Sequence, residues 1–323
     1  MTVDVEQLSE TPWRWRAPAM SAYALALIAW IVLVGVPTDP FQAFAWLWLA
    51  TIGWNIRAPR RSHLRFARDW GPVFAALVVY LYSRGLSDNL LPVSVHWTFP
   101  IRVDEWLGGG ELPTERLQSA WCQAPCTASS DPRWYDAVFT TIYFSHFVVG
   151  LTIAVVLWLR SRAAWVHWMR RYLVINFAAL AVYITFPMAP PWLASNEGYT
   201  SDHIPRLTGR GWDDLGLGGF HVLLAKVGNP VAAMPSLHGG LAMLVAIYGI
   251  SRLRSPWRWL LLAYPALMAV ALVYYGEHYF IDLVAGWVLA AVVMLGCGWW
   301  ERRDRDVTGS APRSTGDPTP SPR

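Results

Sequence analysis

Charge disappears from the chain in a regular rhythm. Residues 17–38, 40–56, 70–83, 137–159, 172–196, 227–251, 259–276 and 283–300 contain no Asp, Glu, Lys or Arg. A helix needs about 20 mostly apolar residues to cross the hydrocarbon core, and about 17 at least. Most of these runs qualify; 40–56 is marginal, and 70–83 must extend past Arg84 toward Leu91. The pattern predicts helices over 18–37, 41–56, 69–90, 135–159, 168–187, 235–250, 258–275 and 279–299. The fold class is therefore all-α: a polytopic membrane helix bundle of about eight transmembrane helices. The first run reads as a span and not as a cleaved leader, because it lacks a small-residue cleavage site and a second apolar run follows at once.

The basic residues sort themselves between these runs. Arg14 and Arg16, the cluster Arg57 to Arg68, the cluster Arg160 to Arg171, the cluster Arg252 to Arg258, and the arginines from Arg302 onward all fall in alternate connections. The positive-inside rule then sets both termini in the cytoplasm, in agreement with an even number of spans. Trp54, Trp70, Trp134, Trp158 and Trp299 lie near run ends, where an amphipathic ring prefers the headgroup zone. Two connections on the opposite side are long, 92–133 and 188–233. The first contains a short helix from Pro113 to Trp121, and such lengths suit lids or binding elements. The expected organisation is an N-terminal cytoplasmic segment and transmembrane hairpin over 1–68, a six-helix core over 69–300, and a disordered cytoplasmic tail over 301–323, rich in Pro, Ser, Thr and Arg.

Composition agrees. Hydrophobic residues make up 54% of the chain and charged residues 15%, against roughly 25% charged in an average soluble domain. The net charge of +4 does not point to nucleic acid, because the positive residues sit where topology signals belong. Three cysteines are too few for a disulfide framework or a thiolate metal site. Cys122 and Cys126, four apart in a polar loop, pair if that loop faces an oxidising compartment and otherwise remain thiols.

Two stretches carry chemistry. Met234-Pro235-Ser236-Leu237-His238-Gly239-Gly240 opens an apolar helix. Proline suits a first helical turn, and free amides there bind anions. Taken alone, the stretch is equally a Ser-capped helix start. In the second, Glu277-His278-Tyr279-Phe280-Ile281-Asp282, a histidine and an aspartate stand four apart and would share a helical face. A carboxylate beside an imidazole fixes the tautomer and stabilises the cation, freeing the other nitrogen to attack. Taken alone, this is equally a structural His–Asp pair. The predicted topology brings His238 and His278 to the same end of the sixth and eighth predicted helices. Two imidazoles there, one partnered by Asp282, make a phosphoryl-transfer constellation.

This pairing resembles the phosphatidic acid phosphatase type 2 superfamily, whose signatures include PSGH and HxxxD. The first corresponds to Pro235-Ser236-Leu237-His238, and the second to His278 through Asp282. The spellings PSLH and HYFID resemble the inositol phosphorylceramide synthase branch most, and the resemblance covers about 70–300. It implies that His278 is the nucleophile that becomes phosphohistidine, that Asp282 orients it, and that His238 is the general acid and then base. Ser236 and the Gly239 amide would help hold phosphate, with no metal or other cofactor. The expected partners are a lipid phosphate substrate and membrane lipids, with the site extracytoplasmic on a bacterial plasma membrane.

The resemblance has gaps. The superfamily's KxxxxxxRP signature is absent around 180–191, where Phe186-Pro187-Met188-Ala189-Pro190-Pro191-Trp192 stands, and the arginine of the HxxxD signature falls on Leu272. Phosphoryl transfer rests mainly on positioning and charge stabilisation, so other cations are expected. Arg206, Arg210 and Lys226, the only lysine, are the outward candidates. The competing class is a transporter, whose hallmark would be ionisable residues or broken helices near mid-membrane. Here the notable polar residues cluster near helix ends.

Overall fold

The computed structural model describes residues 11–34, 37, 40–90, 93–122, 126–127, 130–212 and 229–309, with backbone alone at 85–90 and 305–309. The described residues are helical apart from turns and two isolated bridges. In chain order the helices are α1 Trp13–Leu33, α2 Pro40–Trp54, α3 Arg60–Leu90, α4 Thr98–Leu107, α5 Pro113–Trp121, α6 Trp134–Arg160, α7 Arg162–Thr185, α8 Pro191–Asn196, α9 Leu237–Arg252, α10 Ala263–Tyr274 and α11 Phe280–Gly309. A 3₁₀ stretch, Pro256–Leu262, runs straight into α10.

Each predicted helix overlaps one of these, and the one predicted over 258–275 begins in the 3₁₀ stretch. Four units, Trp13–Leu33, Trp134–Arg160, Pro256–Tyr274 and Phe280–Asp304, are long and apolar enough to cross a membrane. Along α11, Val288, Val292, Leu295 and Trp299 form an exposed apolar stripe at helical spacing. The opposite face, Ala290, Val293 and Cys297, is buried. An apolar stripe facing outward is what lipid solvation permits and water does not.

Several boundaries differ from expectation. Helix α7 starts ahead of 168 because Ser161 caps it, its side chain accepting from the Ala164 amide at 3.3 Å. Helix α11 continues through 301–309, the first part of the expected disordered tail; 310–323 lie outside the described residues. Glu301 holds this end, accepting from Arg171 Nη1 at 2.6 Å and Nη2 at 2.9 Å. The long connections are structured where described: α4 and α8 join the expected α5. Residues 213–228, including Lys226 and His221, lie outside the described residues.

The helix pair that brings the two sequence motifs together is α9 and α11. A β-carbon on Gly286 would meet the Ser236 carbonyl oxygen at 2.3 Å, and one on Gly240 would meet the Gly286 carbonyl oxygen at 3.1 Å. Only glycine allows this approach, the small-residue contact typical of membrane helices. The Ser236 amide then donates to the Asp282 carbonyl at 2.9 Å, tying the start of α9 to the first turn of α11.

Candidate active site

The start of α9 is held from several sides. Tyr183 on α7 donates its hydroxyl to the Pro235 carbonyl at 2.9 Å. Ser236 is the N-cap, and its hydroxyl oxygen accepts from the Gly239 amide at 3.2 Å. Of the two groups expected at phosphate, the Gly239 amide is bonded to Ser236, and Ser236 is fully buried. They shape the helix start that carries His238.

The turn ahead of α11 is equally constrained. Gly276 has φ +71°, a conformation that costs glycine nothing. The Gly276 carbonyl accepts from Trp192 at 3.1 Å, and the Tyr274 carbonyl accepts from Gln118 Nε2 at 2.9 Å. His278 lies in this turn and not on the helix, which starts at Phe280. The expected pair still forms: His278 Nδ1 stands 3.3 Å from Asp282 Oδ2, which also accepts the Tyr279 amide at 2.9 Å. Asp282 is fully buried, and its Oδ1 has no hydrogen-bond partner among the described residues.

A second carboxylate, from far away in sequence, grips the same helix start. Asp104 on α4 accepts the Phe280 amide at 2.6 Å and the Ile281 amide at 3.0 Å. These are two of the orphan donors of a helix N-terminus, and a carboxylate suits the positive end of the dipole. Burial pushes the Asp104 carboxyl up, to about 6, against the pull of the two amide bonds.

The rings of His238 and His278 stand 5.9 Å apart between centroids. Helix α6 cradles His238: Tyr143 stacks on it at 4.8 Å, His146 lies at 4.1 Å and Phe147 meets it edge-on at 5.8 Å. Nε2 of His238 and Nδ1 of His146 are both buried with no hydrogen-bond partner among the described residues.

The expected cations separate. Arg206 pairs with Glu277, the neighbour of His278, at 2.7 Å and 3.3 Å, and lies over the Trp192 ring at 4.7 Å. Thr208 also donates to Glu277. Burial works against the Arg206 charge, but Glu277 outweighs it and holds the guanidinium above its ordinary pKa. Arg210 is engaged by other partners. It is buried, bonded to Cys122 Sγ and the Asp131 carbonyl and ion-paired to Asp136, so it braces a loop. That loop carries the Cys122–Cys126 disulfide, Cα–Cα 5.4 Å. Among the other histidines, His203 is exposed.

Sequence inspection passes over three residues. Arg84, half-buried on α3, lies within electrostatic reach of His146, His238 and Tyr143. It could have been found as the lone charge interrupting an apolar stretch. His146 carries a similar signal, a titratable ring inside the uncharged run 137–159. Asp104 carries none, because nothing in its neighbourhood announces a cap on a helix that begins at residue 280.

Comparison with known proteins points the same way. The sequence profile described as the PAP2 superfamily matches residues 117–296, which include His146, His238, His278 and Asp282. The chain is 27% identical over 174 residues to a phosphoinositol dihydroceramide synthase of Bacteroides thetaiotaomicron, covering 50% of this chain and 56% of that protein. It is 30% identical over 130 residues to the inositol phosphorylceramide synthase catalytic subunit of Schizosaccharomyces pombe, covering 39% of this chain and 31% of that protein. The matches thus span about half of the first relative and a third of the second. No solved structure matches the chain.

Proposed function

This chain belongs to the PAP2 superfamily, and on that premise we propose that it is a membrane phosphotransferase that moves a phosphoinositol group between lipid hydroxyls through a phosphohistidine intermediate. The observation that carries the proposal is the pair of imidazoles with ring centroids 5.9 Å apart, one of them held at Nδ1 by a buried carboxylate. Asp282 on Nδ1 leaves Nε2 of His278 as the nucleophile. Nε2 attacks phosphorus, the P–O bond to the donor lipid breaks, and the departing oxygen takes a proton from His238. In the second half, the acceptor hydroxyl gives its proton to His238 and attacks phosphorus, and the P–N bond breaks. Arg84 and Arg206 supply the positive charge that phosphoryl transfer requires.

The names of the two relatives support phosphoinositol as the group moved and a lipid hydroxyl as acceptor. An extracytoplasmic site is supported by the arginine-poor loops around it and by the disulfide Cys122–Cys126, which persists in oxidising compartments.

The full chain, purified in detergent micelles, would be given phosphatidylinositol labelled in the inositol ring, with and without ceramide. The expected result is diacylglycerol release and a labelled ceramide product, both abolished in His278→Ala. Labelled inositol phosphate formed at the same rate with and without acceptor would reassign the activity to hydrolysis. Turnover retained in His278→Ala would remove the mechanism.

A further inference from the structure

We propose that His146 is a third working imidazole of the site, which binds, together with His238, the oxygen that leaves and then enters at phosphorus. This rests on the reading of His238 as proton donor and acceptor, and it adds a residue to that step.

Helix α6 presents Tyr143, His146 and Phe147 on one face, at the three- and four-residue spacing of neighbours on a helix surface. All three rings touch His238, and His146 is the nearest of them, at 4.1 Å with the planes tilted by 33°. It is nearer to His238 than His278 is, at 5.9 Å. If α6 served only to hold the His238 ring, Tyr143 and Phe147 already supply flat surfaces, and a third carbocyclic ring would do as well. An imidazole instead brings a buried Nδ1 that finds no partner among the described residues, and Nε2 of His238 is in the same condition. A buried polar group left without a hydrogen bond is costly. Two such nitrogens on adjoining rings are accounted for together by one polar ligand atom that both reach.

The reaction supplies such an atom. In a double displacement the departing oxygen and the incoming one occupy the same position, opposite His278. An alcohol oxygen there has one proton and two lone pairs, so one imidazole exchanges the proton and the other fixes the oxygen. His238 performs the exchange. His146 orients the hydroxyl, so its nitrogen touches substrate and its ring does not need to change charge. No atom is gained or lost relative to the two half-reactions above.

The test separates the nitrogen from the ring. His146→Phe keeps an aromatic surface against His238 and removes the polar contact, whereas His146→Gln restores a polar group of similar reach. Each full-length variant would be assayed in detergent micelles with labelled phosphatidylinositol and ceramide, after gel filtration and a thermal melt establish that it is folded. The Phe variant should lose about 10²-fold in kcat, the lower range for loss of one preorganised polar contact to a reacting oxygen, with KM for the donor nearly unchanged. The Gln variant should recover about a tenth of wild-type turnover or more. Wild-type turnover in the Phe variant would overturn the proposal, as would equal losses in both variants, since that would make the ring shape the feature that matters. If the Phe variant does not fold, His146→Met takes its place with the same expected result. His278→Ala, run alongside, keeps the two ideas apart: turnover there removes the phosphohistidine reading, whatever His146 does.

Discussion

Helix α11 is anchored at both ends by carboxylates, and the two ends are built differently. At the far end Glu301 accepts from Arg171 through both oxygens and from Arg170 at 3.2 Å, and it stands 2.6 Å from His167. Several cations from α7 converge on one anion, and the anion has nothing left to offer. At the near end Asp282 has one oxygen engaged and one without a partner among the described residues, and it faces a neutral-capable imidazole instead of a guanidinium. Nearby, His238 and His146 each keep a buried nitrogen unbonded among the described residues. A carboxylate saturated by arginines locks helices together. Carboxylate and imidazole groups held in place but incompletely satisfied are poised to accept a ligand or a proton. Polar satisfaction, more than polarity itself, distinguishes the fastening from the chemistry.

His278→Ala breaks the contrast most sharply. It should lower turnover at least about 10³-fold, as loss of a covalent nucleophile does, while the thermal melt moves little. Inactivation accompanied by a large melting shift would mean that the near end is structural after all. Glu301→Gln should do the reverse. Removing one partner of a buried ion pair costs roughly 3 kcal/mol, here leaving Arg171 buried without its anion. The melt should drop by several degrees while turnover per folded molecule stays within about two-fold of wild type. A kinetic loss at unchanged stability would tie the far end to the chemistry.

The disulfide sharpens the comparison further, because it closes the end of α5, whose Gln118 holds the Tyr274 carbonyl in the turn ahead of α11. Cys122 and Cys126 close a loop with a separation of 4, and constraining so short a loop contributes about 2 kcal/mol on the chain-entropy account. The double replacement Cys122→Ser and Cys126→Ser should lower stability by about that amount, and a reductant should do the same to wild type but nothing to the variant. Equal melts with and without reductant in the wild type would show that the pair carries no stability.

The contrast also explains what the sequence made legible. Charge-free runs are long, redundant signals, so the long apolar helices could be read from them. His238 and His278 were foreseeable because each sits in a compact local pattern, Pro235 through His238 and His278 through Asp282. What escaped is non-local. Asp104 acts on amides 176 residues away, and His146 matters only because α6 packs its face on His238. A cation in an outward loop is indistinguishable, before folding, from one buried as Arg210 is against Asp136 and Cys122. Ser236 is ambiguous in a similar way, since a hydroxyl at a helix start suits a cap and a phosphate equally well.

Asp104 gives the finest test, because its effects on stability and on rate run in opposite directions. Its carboxyl in the folded protein sits at about 6, above the roughly 3.9 of an unfolded aspartate. A raised value means that the group's stabilising contribution is complete below about pH 4 and is lost as pH rises through about 6. Asp104→Asn has no such dependence, so the melting temperature of wild type relative to the variant should fall across that window and level off above it. The ionised carboxylate that burdens the fold is nevertheless the form that accepts both the Phe280 and Ile281 amides with full charge. Asparagine can satisfy one of them and turns an N–H toward the other. At neutral pH the variant should therefore be about 10-fold slower in kcat, the loss of one charge-assisted bond, at unchanged KM and without being less stable. The gap between the two should close below about pH 6, where wild-type Asp104 is itself protonated. A ratio of the two rates that stays constant across this range would mean that α4 merely packs against the site and that the Asp104 charge has no part in aligning His278.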